Sequence, residues 1–125
     1  MTFEKRILYA RVSGSFGKNL AQKFCDDLLK IVYSIEEIHW GYLGDLTDCV
    51  AATPEARDIL VEGIKLCITA GCEVDAYVIN VAMAEHQLSS ARKMLGIDKT
   101  MDDQVFGDTE GAKQFILNIL ARFEG

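Results

Sequence analysis

The amino-acid sequence predicts an α/β fold in which four successive strand–helix units form a single domain, residues 1–125. Strand-like apolar runs alternate with segments whose apolar residues recur every three or four positions, the spacing of an amphipathic helix. Half of the residues are apolar, which is enough for one hydrophobic core. Strands that alternate with helices need crossover connections, so we expect a mostly parallel sheet with helices packed on it.

The N-terminal part of the chain contains the first unit and the second strand. Residues 5–13 are rich in β-branched, aromatic and aliphatic side chains and end at Gly14, which predicts a strand. Apolar residues at helical spacing predict a helix from Asn19 to Ile35. Bulky residues alternate with small ones over 38–46, which predicts the second strand.

The second helix has the clearest start and end signals. Thr53 supplies a side-chain oxygen for the N-cap, Pro54 fits the first turn because its missing N–H is not needed there, and Glu55 suits the positive end of the helix dipole. Gly71 can end this helix in a left-handed conformation. The residues between the second strand and Thr53 are interpreted as a loop, and helix capping alone is a sufficient reason for its last residues.

The C-terminal half repeats the strand–helix pattern. Short apolar runs bounded by cap residues are typical of buried parallel strands that lead into helices. The predicted elements are a strand at 75–80, a helix at 80–95, a polar loop at 96–103, a strand at 104–108 and a helix that Asp108 or Thr109 caps.

Composition and charge exclude several classes of function. The formal net charge of −6 repels phosphate backbones, and Lys and Arg form no basic stripe, so we expect no nucleic-acid binding. No apolar run approaches the roughly 20 residues needed to cross a bilayer, so we expect no membrane insertion. The N-terminus also lacks the apolar core of a signal peptide, which predicts a cytoplasmic protein.

The residue types that carry metal or catalytic chemistry lack the necessary spacing. The four cysteines form no Cys-x-x-Cys pair, and His39 and His86 lie far from them in sequence, so we expect no metal site. Residues 14–19, GSFGKN, lack the P-loop spacing and its hydroxyl after the lysine. Since no Gly-x-Ser-x-Gly motif or other acid, base and nucleophile set is present, we expect a protein that is not an enzyme and needs no cofactor.

The order of the four units, the GDLTD strand end at residues 44–48 and the loop into the second helix resemble the anti-sigma factor antagonist (STAS) family, in particular its SpoIIAA-like branch. Signalling members of that family carry Asp-Ser-Ser-Gly at the start of the second helix, where a partner kinase phosphorylates the serine. This sequence has Ala52-Thr53-Pro54-Glu55 there, so Thr53 is the candidate phosphoacceptor. The resemblance implies a small regulatory domain that docks a protein partner through this loop. The candidate docking residues are Asp45, Thr47, Asp48, Glu55 and Arg57.

A second class of function stays open. SpoIIAA-like proteins are also similar in architecture to lipid-binding CRAL-TRIO domains, in which an apolar cavity holds a hydrophobic ligand. A comparable pocket for a small hydrophobic or lipid-like molecule could draw on Trp40, Tyr42, Tyr77 and Phe106, although aromatic residues on strands also build ordinary cores.

The incomplete motifs predict that ATP and magnesium do not bind to the folded protein. A ligand at about 100 times its Kd would stabilise the fold by about 2.7 kcal/mol, which raises the melting temperature measurably. We therefore expect an unchanged melting temperature in a thermal-shift assay with ATP and Mg²⁺. A reproducible increase would overturn this prediction.

Overall fold

The computed structural model of the chain describes residues 1–79, 86, 88–90, 93 and 104–123. Within these ranges the strands form one five-stranded sheet, in which they lie side by side in chain order. The strands are β1 (Thr2–Glu4), β2 (Ile7–Phe16), β3 (Trp40–Ala52), β4 (Cys72–Ile79) and β5 (Val105–Phe106). β1 pairs antiparallel with β2, whereas β2, β3, β4 and β5 are parallel to one another. The predicted α/β class with a mostly parallel sheet is therefore confirmed.

Helices connect or follow these strands. They are α1 (Lys18–Val32), α2 (Pro54–Thr69) and α3 (Thr109–Leu120), with a 3-10 turn at Ala121–Phe123. Residues 86, 88–90 and 93 are also helical, but most of the helix predicted at 80–95 and all of the loop predicted at 96–103 lie outside the described residues. Among the helices that the structure describes, none is both long enough and apolar enough to cross a membrane.

The sheet has helices on both faces. Alternate β2 residues point in opposite directions, so that Leu8 and Ala10 pack towards α1 and α2 while Ile7 packs towards α3. The buried core on the α1–α2 face includes Leu8, Ala10, Leu28, Val32, Trp40 and Cys67. The buried core on the α3 face includes Ile7, Leu43, Val74, Ala76, Val78, Ala112, Ile116 and Leu120.

The predicted start of the strand at residues 5–13 is wrong, because β2 begins at Ile7. Lys5 and Arg6 have φ values of 52° and 67° and form the two-residue turn between β1 and β2. Such hairpin turns usually carry Asn-Gly or Asp-Gly, so the charged pair gives no turn signal in the sequence. The strand also continues beyond Gly14, which adopts a φ of 74° next to a register shift between β2 and β3.

The prediction of a loop before the second helix is also wrong, because most of that segment belongs to β3. The strand begins at Trp40 rather than at residue 38 and continues to Ala52. It pairs with β4 only as far as Leu46 but with β2 along its whole remaining length. A bulge, in which β3 has one more residue than β2, interrupts the alternation near Asp45, so the polar residues that follow resemble a loop in the sequence.

The second helix begins and ends as its cap residues predict. The Ala56 backbone N–H donates to the Thr53 hydroxyl oxygen at 3.2 Å, and Pro54 occupies the first turn. Gly71 follows the helix with a φ of 111°. A side chain at this position would overlap the Ile38 carbonyl oxygen, so both the backbone conformation and the available space require glycine.

Replacing Gly71 with Ala should lower the free energy of unfolding by at least about 1 kcal/mol, because the left-handed backbone and the overlap with Ile38 both oppose a Cβ atom. The matched control is Gly107→Ala, since a Cβ at Gly107 contacts no described atom within 4 Å and its φ is not left-handed. We expect this control to be close to neutral in urea denaturation. Equal losses for the two variants would contradict the prediction.

Candidate functional site

The exposed candidate residues lie along the second halves of β2 and β3 and at the start of α2, towards the edge of the sheet where the two strands end. We define the carboxyl-edge surface as Arg11, Ser13–Ser15, Asp48 and Thr53–Glu55, all of which are exposed. In many α/β folds the binding site lies outside the carboxyl ends of parallel strands, where strand-to-helix connections meet. The carboxyl-edge surface is therefore the natural candidate for a binding role.

Two helix N-termini lie side by side at this surface. Phe16 of β2 and Ala52 of β3 are register partners, and the residues that follow them, Gly17 and Thr53, are the N-caps of α1 and α2. Each helix N-terminus carries roughly half a positive charge from its aligned peptide dipoles. The backbone therefore makes this part of the surface electropositive although the chain as a whole is acidic.

Arg57 adds a cationic side chain one turn into α2. Its backbone N–H donates to the Thr53 carbonyl oxygen at 2.9 Å, so the two residues are neighbours along the helix. One guanidinium nitrogen, Nη2, donates to Asp58 Oδ1 at 3.4 Å. The Nε atom of Arg57 is buried, and within the described part of the chain no acceptor bonds to it. Arg57 thus places a positive charge one helical turn after Thr53.

Asp45 lies beneath the surface rather than on it, with 7% of the residue exposed. The Tyr9 hydroxyl donates to its Oδ2 at 2.6 Å, while the Thr47 hydroxyl and backbone N–H donate to its Oδ1 at 2.6 and 3.1 Å. Burial favours a raised pKa for Asp45, but the hydrogen bonds from Thr47 and Tyr9 and the charge of Arg11 outweigh it and lower the pKa. The predicted docking residues Asp45 and Thr47 therefore hold the β3 bulge in place.

Arg11 and Asp48 form an ion pair across β2 and β3 that is largely exposed to solvent. The hydrogen bond to Asp48, with the charge of that carboxylate, raises the pKa of Arg11. Neither Arg11 nor Tyr9 is among the site residues predicted from the sequence, because local patterns do not place β2 beside β3. In the sequence, the only sign of these two residues is that polar groups occupy alternate positions of the predicted strand at residues 5–13.

The four aromatic residues predicted to line a ligand pocket do not all lie on the same face of the sheet. Trp40 is fully buried, and its Nε1 donates to the Ala70 carbonyl oxygen at 3.2 Å. Tyr42 and Tyr77 lie on the same face, with ring centroids 6.0 Å apart, above Gly44. A Cβ at Gly44 would come within 2.7 Å of the Tyr77 ring, so glycine permits this arrangement.

Phe106 lies on the opposite face of the sheet. It packs against the α3 core, and its ring centroid is 5.1 Å from that of Phe115. The structure therefore brings Trp40, Tyr42 and Tyr77 to one face and separates Phe106 from them. The described contacts of these rings are contacts within the protein core, and the hydrophobic-ligand alternative stays a prediction.

His39 lies at the opposite edge of the sheet, just before β3. Its Nδ1 is 2.8 Å from Glu73 Oε1, and its ring stacks on Phe123 with centroids 4.7 Å apart. These contacts join the 3-10 turn to the sheet, which is a structural role.

The cysteines are free thiols in buried or partly buried positions. Burial raises the pKa of Cys25 to about 11 and, with a contribution from Cys25, raises that of Cys67 to about 12. These thiols are therefore protonated at neutral pH and poor nucleophiles.

A comparison with protein-family models finds no match to this chain, and a comparison with curated proteins finds none. The resemblance to the STAS family consequently stays a prediction from the sequence.

The Asp45 network predicts a loss of stability in acid. Because the pKa of Asp45 is lower in the folded chain than in the unfolded chain, its ionised form stabilises the fold above about pH 4, and this stabilisation is lost as the pH falls through the folded pKa. Asp45→Asn should lower the free energy of unfolding by about 1.5–3 kcal/mol at neutral pH. In urea denaturation the difference from wild type should shrink as the pH falls below about 4.

Asp48→Asn is the matched control, since it removes the same charge from an exposed position three residues along β3. We expect a much smaller loss of stability, because exposed ion pairs contribute little. A pH-independent difference for Asp45→Asn, or an equal loss in the control, would contradict the proposed importance of the buried carboxylate.

Proposed function

We propose that this domain is a small regulatory module that docks a protein partner on its carboxyl-edge surface, and that phosphorylation of Thr53 weakens that docking. The observation that carries the proposal is the position of Thr53, which is exposed and caps the N-terminus of α2, one helical turn before the cationic Arg57. The resemblance to the STAS family supports the same residue independently, because Thr53 is the hydroxyl nearest to the family's phosphoacceptor position.

A phosphate on Thr53 has favourable and unfavourable neighbours. It would carry a charge of about −1.5 to −2 and three acceptor oxygens, which suit the free N–H groups of the helix N-terminus and the Arg57 guanidinium. The interaction with the dipole alone is worth about 0.3–1 kcal/mol at an exposed site. Glu55 is exposed in the same turn and opposes the added charge. Phosphorylation would therefore change the net charge of the carboxyl-edge surface from nearly neutral to strongly negative.

The other residues of the carboxyl-edge surface suit a docking role because the fold does not require their charges. Arg11 and Asp48 pair in the open, where an ion pair adds little to stability and a partner can replace either side chain. Ser13, Gly14 and Ser15 are exposed and small, so another protein can approach the backbone closely. A polar surface of this type resembles the rim of a transient interface.

Substitution of Thr53 separates capping from regulation. Thr53→Ala should lower the free energy of unfolding by about 0.5–2 kcal/mol because the N-cap acceptor is lost, and Thr53→Asp should restore it. We expect Thr53→Asp to fold like wild type but to bind the partner at least roughly tenfold more weakly, a difference of about 1.4 kcal/mol. The measurement is titration calorimetry with the purified partner that the wild-type domain captures. Wild-type affinity in the Asp variant would mean that the hydroxyl only caps α2.

Charge reversal at Glu55 tests the location of docking. Glu55→Lys should change the affinity for the same partner, because Glu55 is exposed within the carboxyl-edge surface. The matched control is Glu37→Lys, which makes the same change at an exposed residue before β3, at the opposite edge of the sheet. Equal effects of the two variants would indicate long-range electrostatics, and no effect from either would place the interface elsewhere.

Substitution of Arg57 tests whether its guanidinium binds a phosphate on Thr53. Protein carrying phosphothreonine at position 53 should be stabilised relative to its unphosphorylated form, and Arg57→Gln should reduce that gain because the guanidinium no longer contacts the phosphate. Thermal denaturation of the four forms gives the coupling between the two changes. A gain of the same size with and without Arg57 would remove this residue from the proposal.

A further inference from the structure

We draw no further inference here: the strongest candidate, the adjacent N-termini of α1 and α2 at the carboxyl edge of the sheet, belongs to the surface already described, and no second observation within the described residues points to a ligand there.

Discussion

The parallel pairing of β2 with β3 is the constraint on which the rest of the structure depends. The two strands remain paired up to Phe16 and Ala52, well beyond Leu46, where β3 ceases to pair with β4. Because both strands end together, the helices that follow them start at the same edge of the sheet, and both helices pack on the same face. One set of backbone hydrogen bonds therefore determines both the core beneath α1 and α2 and the polar surface at their N-termini.

The bulge in β3 lies next to a buried carboxylate, that of Asp45, within the long pairing of β2 with β3. A carboxylate away from water is costly unless donors surround it, and Tyr9 and Thr47 supply three hydrogen bonds to Asp45. Two of these donors belong to Thr47, so the buried charge also sets the path of the backbone at the bulge. The exposed Arg11–Asp48 pair lies directly beside this network. The position of this ion pair on the surface is consequently coupled to the buried carboxylate of Asp45.

Thr53 combines a structural role with accessibility. Its hydroxyl oxygen accepts the hydrogen bond that starts α2, yet the residue is exposed. Any change at this hydroxyl therefore acts on helix stability and on the charge of the surface at the same time. This coupling is a physical reason why a helix N-cap is an effective place for a regulatory charge, since the dipole and the free N–H groups respond to it directly.

Local rules within the sequence determined the class of fold, the start and end of α2 and the cap of α3, where Asp108 accepts from the Gly111 N–H at 2.8 Å. Capping and helical periodicity depend on residues a few positions apart, so one segment contains the whole signal. Tertiary structure alone decided that β3 continues through Asp48 and that Phe106 lies on the face away from Trp40. It also brought Arg11 to the candidate surface. These features arise from hydrogen bonds between strands that are distant in sequence, and no local pattern specifies which strands pair or in what register.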